Sequence, residues 1–116
     1  MSIQAYQRAA TQAESPRQLE YRALGLATSG LLRAHEAGKA DFAGLLAALD
    51  KNRQLWSMLA SDCMIDGNSL PPPVRAQIIS LSLFVSKYTS QVLREGVSLE
   101  PLIDLNKTIM DGLAGA

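Results

Sequence analysis

The chain of 116 residues holds one histidine, His35, and one cysteine, Cys63, so the shortest route to covalent chemistry would be a thiolate activated by an imidazole. The placement of the two argues against it. His35 lies near the solvent end of one apolar helical segment, and Cys63 closes the apolar stripe of the next, the place of an inert packed thiol. His35-Glu36 has no second histidine to complete a zinc-protease pair. No glycine-rich phosphate loop, nucleophile elbow or carboxylate pair is legible. The expectation is a protein that is not an enzyme and needs no cofactor or metal.

The residues that demand an explanation are two asparagines. Leu49-Asp50-Lys51-Asn52-Arg53-Gln54-Leu55-Trp56 is echoed by Ile103-Asp104-Leu105-Asn106-Lys107-Thr108-Ile109-Met110, as aliphatic, Asp, any, Asn, base, polar, aliphatic, large apolar. In each copy the Asp and the base are three apart and can pair on one helix face, for a few tenths of a kcal/mol. The Asn is costlier, since a buried amide without a partner loses about 1–3 kcal/mol. Two readings compete. Either Asn52 and Asn106 bond each other or neighbouring helices and fix the register of a bundle. Or Asn52, Arg53 and Trp56, with Asn106 and Lys107, edge a groove where a partner helix docks, Trp and Arg being enriched at binding hot spots. Tyr6, Arg17, Tyr21 and Arg22 form a second aromatic and cationic cluster around the first strong helix start, either a partner contact or a solvated first turn.

These side chains have to be held by helices. Ser15-Pro16-Arg17-Gln18 spells an N-cap, a proline at the first helical position and a capping box. Leu19, Ala23, Leu26, Ala27, Gly30, Leu31 and Ala34 follow as an apolar stripe that Gly38 ends. Asp41 caps a second helix with the stripe Phe42, Leu45, Leu49, Asn52, Trp56, Leu59 and Cys63. The segment Asp66-Gly67-Asn68-Ser69-Leu70-Pro71-Pro72-Pro73 reads as a rigid turn. A third helix runs from about Pro72 to Glu95 on Val74, Ile78, Leu81, Val85, Tyr88 and Val92. Ile79, Leu83 and Phe84 widen its apolar arc, which predicts the most buried helix of the set. After Gly96, Ser98 caps a fourth helix on Leu99, Leu102, Ile103, Asn106, Ile109, Met110 and Leu113. The fold class is all-α, a small up-and-down bundle of about four amphipathic helices forming a single domain over residues 1–116. Residues 1–14 are a further short helix or a flexible arm.

Eleven basic residues balance eleven acidic ones and neither sign forms a run, which disfavours direct recognition of nucleic acid or an anionic membrane. Apolar residues make up 47% of the chain, enough for a packed core, yet no stretch approaches the ~20 residues of a membrane span. One cysteine allows no internal disulfide, and the N-terminus has no secretory apolar region, so a cytoplasmic location is expected.

The chain resembles the FlaF family of flagellar biosynthesis regulators. The resemblance is carried by Ala5-Tyr6-Gln7, Ser15-Pro16-Arg17, Glu20-Tyr21-Arg22, Leu49-Asp50-Lys51-Asn52-Arg53-Gln54-Leu55-Trp56, Leu59-Ala60-Ser61-Asp62-Cys63, Asn68-Ser69-Leu70-Pro71, Leu81-Ser82-Leu83-Phe84-Val85 and the stretch Glu100 to Leu113. The third-helix motif of the family tends to carry a Trp where this chain has Phe84. The resemblance implies a cytosolic factor for flagellin production and export, a flagellin-binding secretion chaperone that acts with the companion regulator FlbT. It also implies no catalytic residues. Flagellin has long amphipathic terminal helices that pair only in the filament, and a bundle with a groove would cover them by helix-in-groove docking. The alternative is a non-chaperone adaptor, or a post-transcriptional regulator of flagellin expression acting through FlbT. Nothing in the sequence sets the oligomeric state.

Overall fold

The structure, a computed structural model, describes residues 2–4, 15–65, 67 and 70–114. Among them are four long helices and no strand: α1 (Pro16–Ala37), α2 (Phe42–Met64), α3 (Pro72–Glu95) and α4 (Glu100–Ala114). A 3₁₀ turn, Gly38–Ala40, joins the first two. The arm or helix expected over residues 1–14, Tyr6 included, lies outside the described residues but for 2–4. Asp66, Asn68 and Ser69 of the expected turn also lie outside them.

Local chemistry sets most of the helix ends. Gln18 donates its backbone N–H to Ser15 Oγ at 3.2 Å, and Ser15 donates its own to Gln18 Oε1 at 2.9 Å, closing the capping box ahead of α1. Asp41 Oδ1 accepts the Gly44 backbone N–H at 2.9 Å and starts α2. Gly38 and Gly96, with φ of 64° and 69°, end α1 and α3 in a conformation that a Cβ disfavours. Ser98 acts one position earlier than a formal cap: its Oγ accepts the Glu100 N–H at 3.1 Å, while the Leu99 carbonyl receives the first helical bonds from Leu102 and Ile103. The C-terminus of α2 is closed from α3, where Arg75 donates Nε to the Cys63 carbonyl at 2.9 Å and Nη2 to the Ile65 carbonyl at 3.3 Å. A guanidinium there also meets the negative end of the helix dipole.

α1 packs against both α2 and α4, and α2 packs against α3. Neighbours run antiparallel, with Gly30 beside Ala48, Thr28 beside Met110, and Arg75 beside Cys63. The up-and-down order follows from these pairings. Leu24, Leu31, Leu49, Trp56, Val85 and Leu102 are the innermost apolar side chains.

Two expectations are corrected. On α1 Leu31 and Ala34 of the predicted stripe are buried, but Leu19 and Leu26 are 53% and 69% exposed, and Leu24 and Thr28, outside that stripe, complete the buried face. Thr28 enters the core because its hydroxyl bonds the Leu24 carbonyl at 2.6 Å, which removes the penalty its polarity implies. On α3 Ile79 packs half-buried against the core, but the other two residues that widened the apolar arc do not bury it: Leu83 is 65% exposed and Phe84 41%. α3 lies on the outer flank of α2, and α2, with Leu49, Asn52, Trp56, Leu59, Ala60 and Cys63 buried, is the central helix.

Candidate partner-docking groove

The echoed asparagines meet in the core. The Trp56 indole donates Nε1–H to Asn106 Oδ1 at 2.8 Å, and Asn106 Nδ2 donates to Asn52 Oδ1, also at 2.8 Å. All three residues are 0% exposed. An indole N–H can only donate, so it fixes the Asn106 amide with its oxygen toward Trp56. The Asn106 nitrogen must then face Asn52, which turns the Asn52 oxygen inward. Asn52 Nδ2 is left buried without a partner among the described residues, as is the Thr89 hydroxyl. Asn52 and Asn106 thus bond each other across α2 and α4, and with Trp56 they present no surface to a partner in this conformation. The bases that follow each asparagine point outward: Arg53 pairs with Asp50 at 2.8 Å, and Lys107 is exposed. Asp50 also accepts from Gln54 Nε2 at 2.8 Å, while no ion pair joins Asp104 to Lys107 among the described residues. Arg17 pairs with Glu20 at 2.8 Å in the first turn of α1, and Tyr21 is 43% exposed beside them.

The surface able to receive another chain lies elsewhere, between α1 and α2. There a groove of about 710 Å³ runs along the two helices. Its α1 wall is Ala23, Leu26, Ala27, Gly30, Ala34 and Ala37, and its α2 wall is Gly44, Ala47, Ala48 and Leu55. Small side chains make the depth. A Cβ built on Gly30 would stand 3.9 Å from the Ala48 Cβ, so the backbones approach closely and no bulky side chain fills the space above them. Arg33 and Lys51 stand at its edges, and Asp41, the remaining charged residue lining it, is engaged in capping α2. A trough of this length, apolar on the floor and charged on the rim, suits the apolar face of a helix.

The family model for the flagellar protein FlaF matches residues 2–113. The chain belongs to the FlaF family of flagellar proteins. Comparison with curated proteins and with solved structures returned no match.

The FlaF family is not known as enzymatic, and the placement of the two nucleophile candidates is in keeping with that. Cys63 is buried, and burial pushes its thiol above the ordinary value, with the Glu20 carboxylate adding to the shift. His35 stands at the opposite end of the bundle, beside Glu100 at 3.8 Å. Cys63 lies 22 residues along α2 from Asp41, roughly 33 Å at 1.5 Å per residue, so thiol and imidazole cannot meet. No described helix is long and apolar enough to cross a membrane.

Of the residues singled out from sequence, the structure brings Asn52, Trp56 and Asn106 together inside the core, leaves Arg53 and Lys107 exposed, and sets Tyr21 exposed beside a half-buried Arg17. The groove residues passed unnoticed as a set. Their signal is present in two rows of small residues at steps of three and four: Ala23, Ala27, Gly30, Ala34 and Ala37 on one helix, and Gly44, Ala47 and Ala48 on the next.

Proposed function

We propose that this FlaF-family protein binds flagellin in the cytosol through the α1–α2 groove. It covers an amphipathic flagellin helix before export, and acts with FlbT as a secretion chaperone and regulator without catalysis of its own. The observation that carries the reading is the groove, and within it Leu26, which projects at 69% exposure from a wall of alanines and glycine. An isolated bundle gains nothing from leaving such a side chain in water, whereas burying it against a partner contributes about 1.5–3 kcal/mol.

A second reading, an adaptor that holds FlbT and leaves flagellin alone, draws on the other flank of α2. There Leu83 and Phe84 of α3 are exposed, and the Phe84 ring stacks on Tyr88 with centroids 5.5 Å apart.

Titration calorimetry against monomeric flagellin, and separately against FlbT, divides the two. Flagellin is expected to bind the parent protein saturably with a negative heat-capacity change. Leu26→Glu should weaken that binding at least tenfold, and Phe84→Glu should leave it intact. Flagellin binding that is absent, or indifferent to Leu26→Glu, would remove the groove from the mechanism. Loss of FlbT binding in Phe84→Glu alone would then support the adaptor.

A further inference from the structure

The charges on the groove rim bear on which helix it takes, an inference that rests on the groove being the docking site. Arg33 and Lys51 line it, and neither has an ion-pair or hydrogen-bond partner among the described residues. The acidic residue that shares the lining, Asp41, accepts the Gly44 N–H through Oδ1 and keeps its charge, but it makes no ion pair with either base among the described residues. The rim therefore offers two cations outside any ion pair against one carboxylate, a net positive edge, and the two cations stand on opposite walls. Their offset follows from the register of the antiparallel pair. Gly30 faces Ala48, so Arg33 stands level with residue 45 and Lys51 level with residue 27. Six residues of helix separate the two along the groove, roughly 9 Å.

A helix laid in the groove must place its apolar stripe on the floor, where alanine and glycine leave room for Leu- or Ile-sized knobs. Residues five or six apart on that helix are displaced by about 8–9 Å along its axis and turned by roughly 120–140° about it. They therefore stand on the two shoulders of a stripe about 100° wide. We infer that the groove selects an amphipathic helix whose apolar stripe is flanked on both shoulders by carboxylates five or six residues apart, one meeting Arg33 and the other Lys51. Helices flanked by lysine or arginine are repelled at the same two points. Charge thus sorts among helices that the apolar floor alone would accept alike.

The test uses the full-length chain and three dye-labelled helical peptides of one apolar stripe: Glu on both shoulders at this spacing, Lys at the same positions, and Gln as the neutral reference. Fluorescence anisotropy at low ionic strength should rank them Glu, Gln, Lys. The Glu peptide should bind about tenfold more tightly than the Lys peptide, since two rim pairs are attractive in one and repulsive in the other. High salt should close most of that gap. The double variant Arg33→Glu, Lys51→Glu alters exposed positions, and its circular dichroism reports that the helices persist. It should invert the ranking. Equal binding of the three peptides, or a ranking that the double variant leaves unchanged, would overturn the charge inference while leaving an apolar groove. Failure of all three to bind would overturn both, as would sedimentation showing that a second copy of the chain already fills the groove.

Discussion

Asn106 sits between two buried groups that need it. Its carbonyl is the acceptor for the single indole of the chain, and its nitrogen is the donor for Asn52. Replacing it with alanine strands the Trp56 N–H and the Asn52 oxygen in a dry core, each at about 1–3 kcal/mol. Asn52→Ala strands only one N–H of Asn106, and it removes the Asn52 nitrogen that is already without a partner. The two substitutions delete the same volume, so the cavity contribution is similar and the hydrogen bonds decide the difference. Urea denaturation should therefore show Asn106→Ala less stable than Asn52→Ala by about 1–3 kcal/mol. Equal losses would mean that the amides contribute by packing alone. A polar residue inside an apolar stripe announces a partner, and the echo of the two segments suggested that each asparagine could be the other's. What it did not supply was the direction of the chain of bonds, which only the donor-only indole determines.

Helix ends were legible because their causes are local: the Ser15 capping box, the Asp41 cap, and the glycines at 38 and 96 act within four residues of themselves. Helix faces were legible only where polar residues bound the stripe. α4, whose apolar residues keep to one side, buries Leu102, Ile103, Asn106 and Leu113 as predicted, with Leu99 buried just ahead of it and Ile109 and Met110 half-buried against the core. α1 carries leucine and alanine around much of its circumference, so periodicity permits more than one face. The choice of Leu24 over Leu19 and Leu26 is made by α4 and α2 packing on it, which no window of sequence contains. α3 departs from expectation for a related reason, since a wide apolar arc reads the same whether the chain itself or a partner covers it. At this scale Gly30 offers the sharpest test of the groove. It lies inside α1, where glycine costs roughly 0.5–1 kcal/mol relative to alanine, and its Cβ position is in ordinary contact distance of Ala48. Gly30→Ala should raise the thermal midpoint and still weaken flagellin binding, because the added methyl lifts the groove floor. A gain in stability with unchanged affinity would show that the helix docks elsewhere.

At the scale of the whole molecule the proposed binding groove and the polar core are on different sides of the same helix. Leu55 lines the groove from α2, while its neighbour Trp56 turns away into the core toward Asn106. A partner can therefore fill the groove with the relay undisturbed, provided the bundle docks as a rigid body. The alternative is that α4 swings away and the partner helix takes its place against α1 and α2. That exchange would strip Trp56 of its acceptor and bring water to a ring that is otherwise fully buried. The single Trp of the chain reports which occurs. Its emission should be blue-shifted in the folded protein, and should stay there through a titration with flagellin once the partner's own signal is subtracted. A red shift that saturates with binding would mean that the core opens, and would move the docking site from the groove to the seat of α4. Asn106→Ala supplies the control. It loosens the hold on α4, so affinity should rise in that variant if docking proceeds by exchange, and should remain that of the parent protein if the groove receives the helix on a closed bundle.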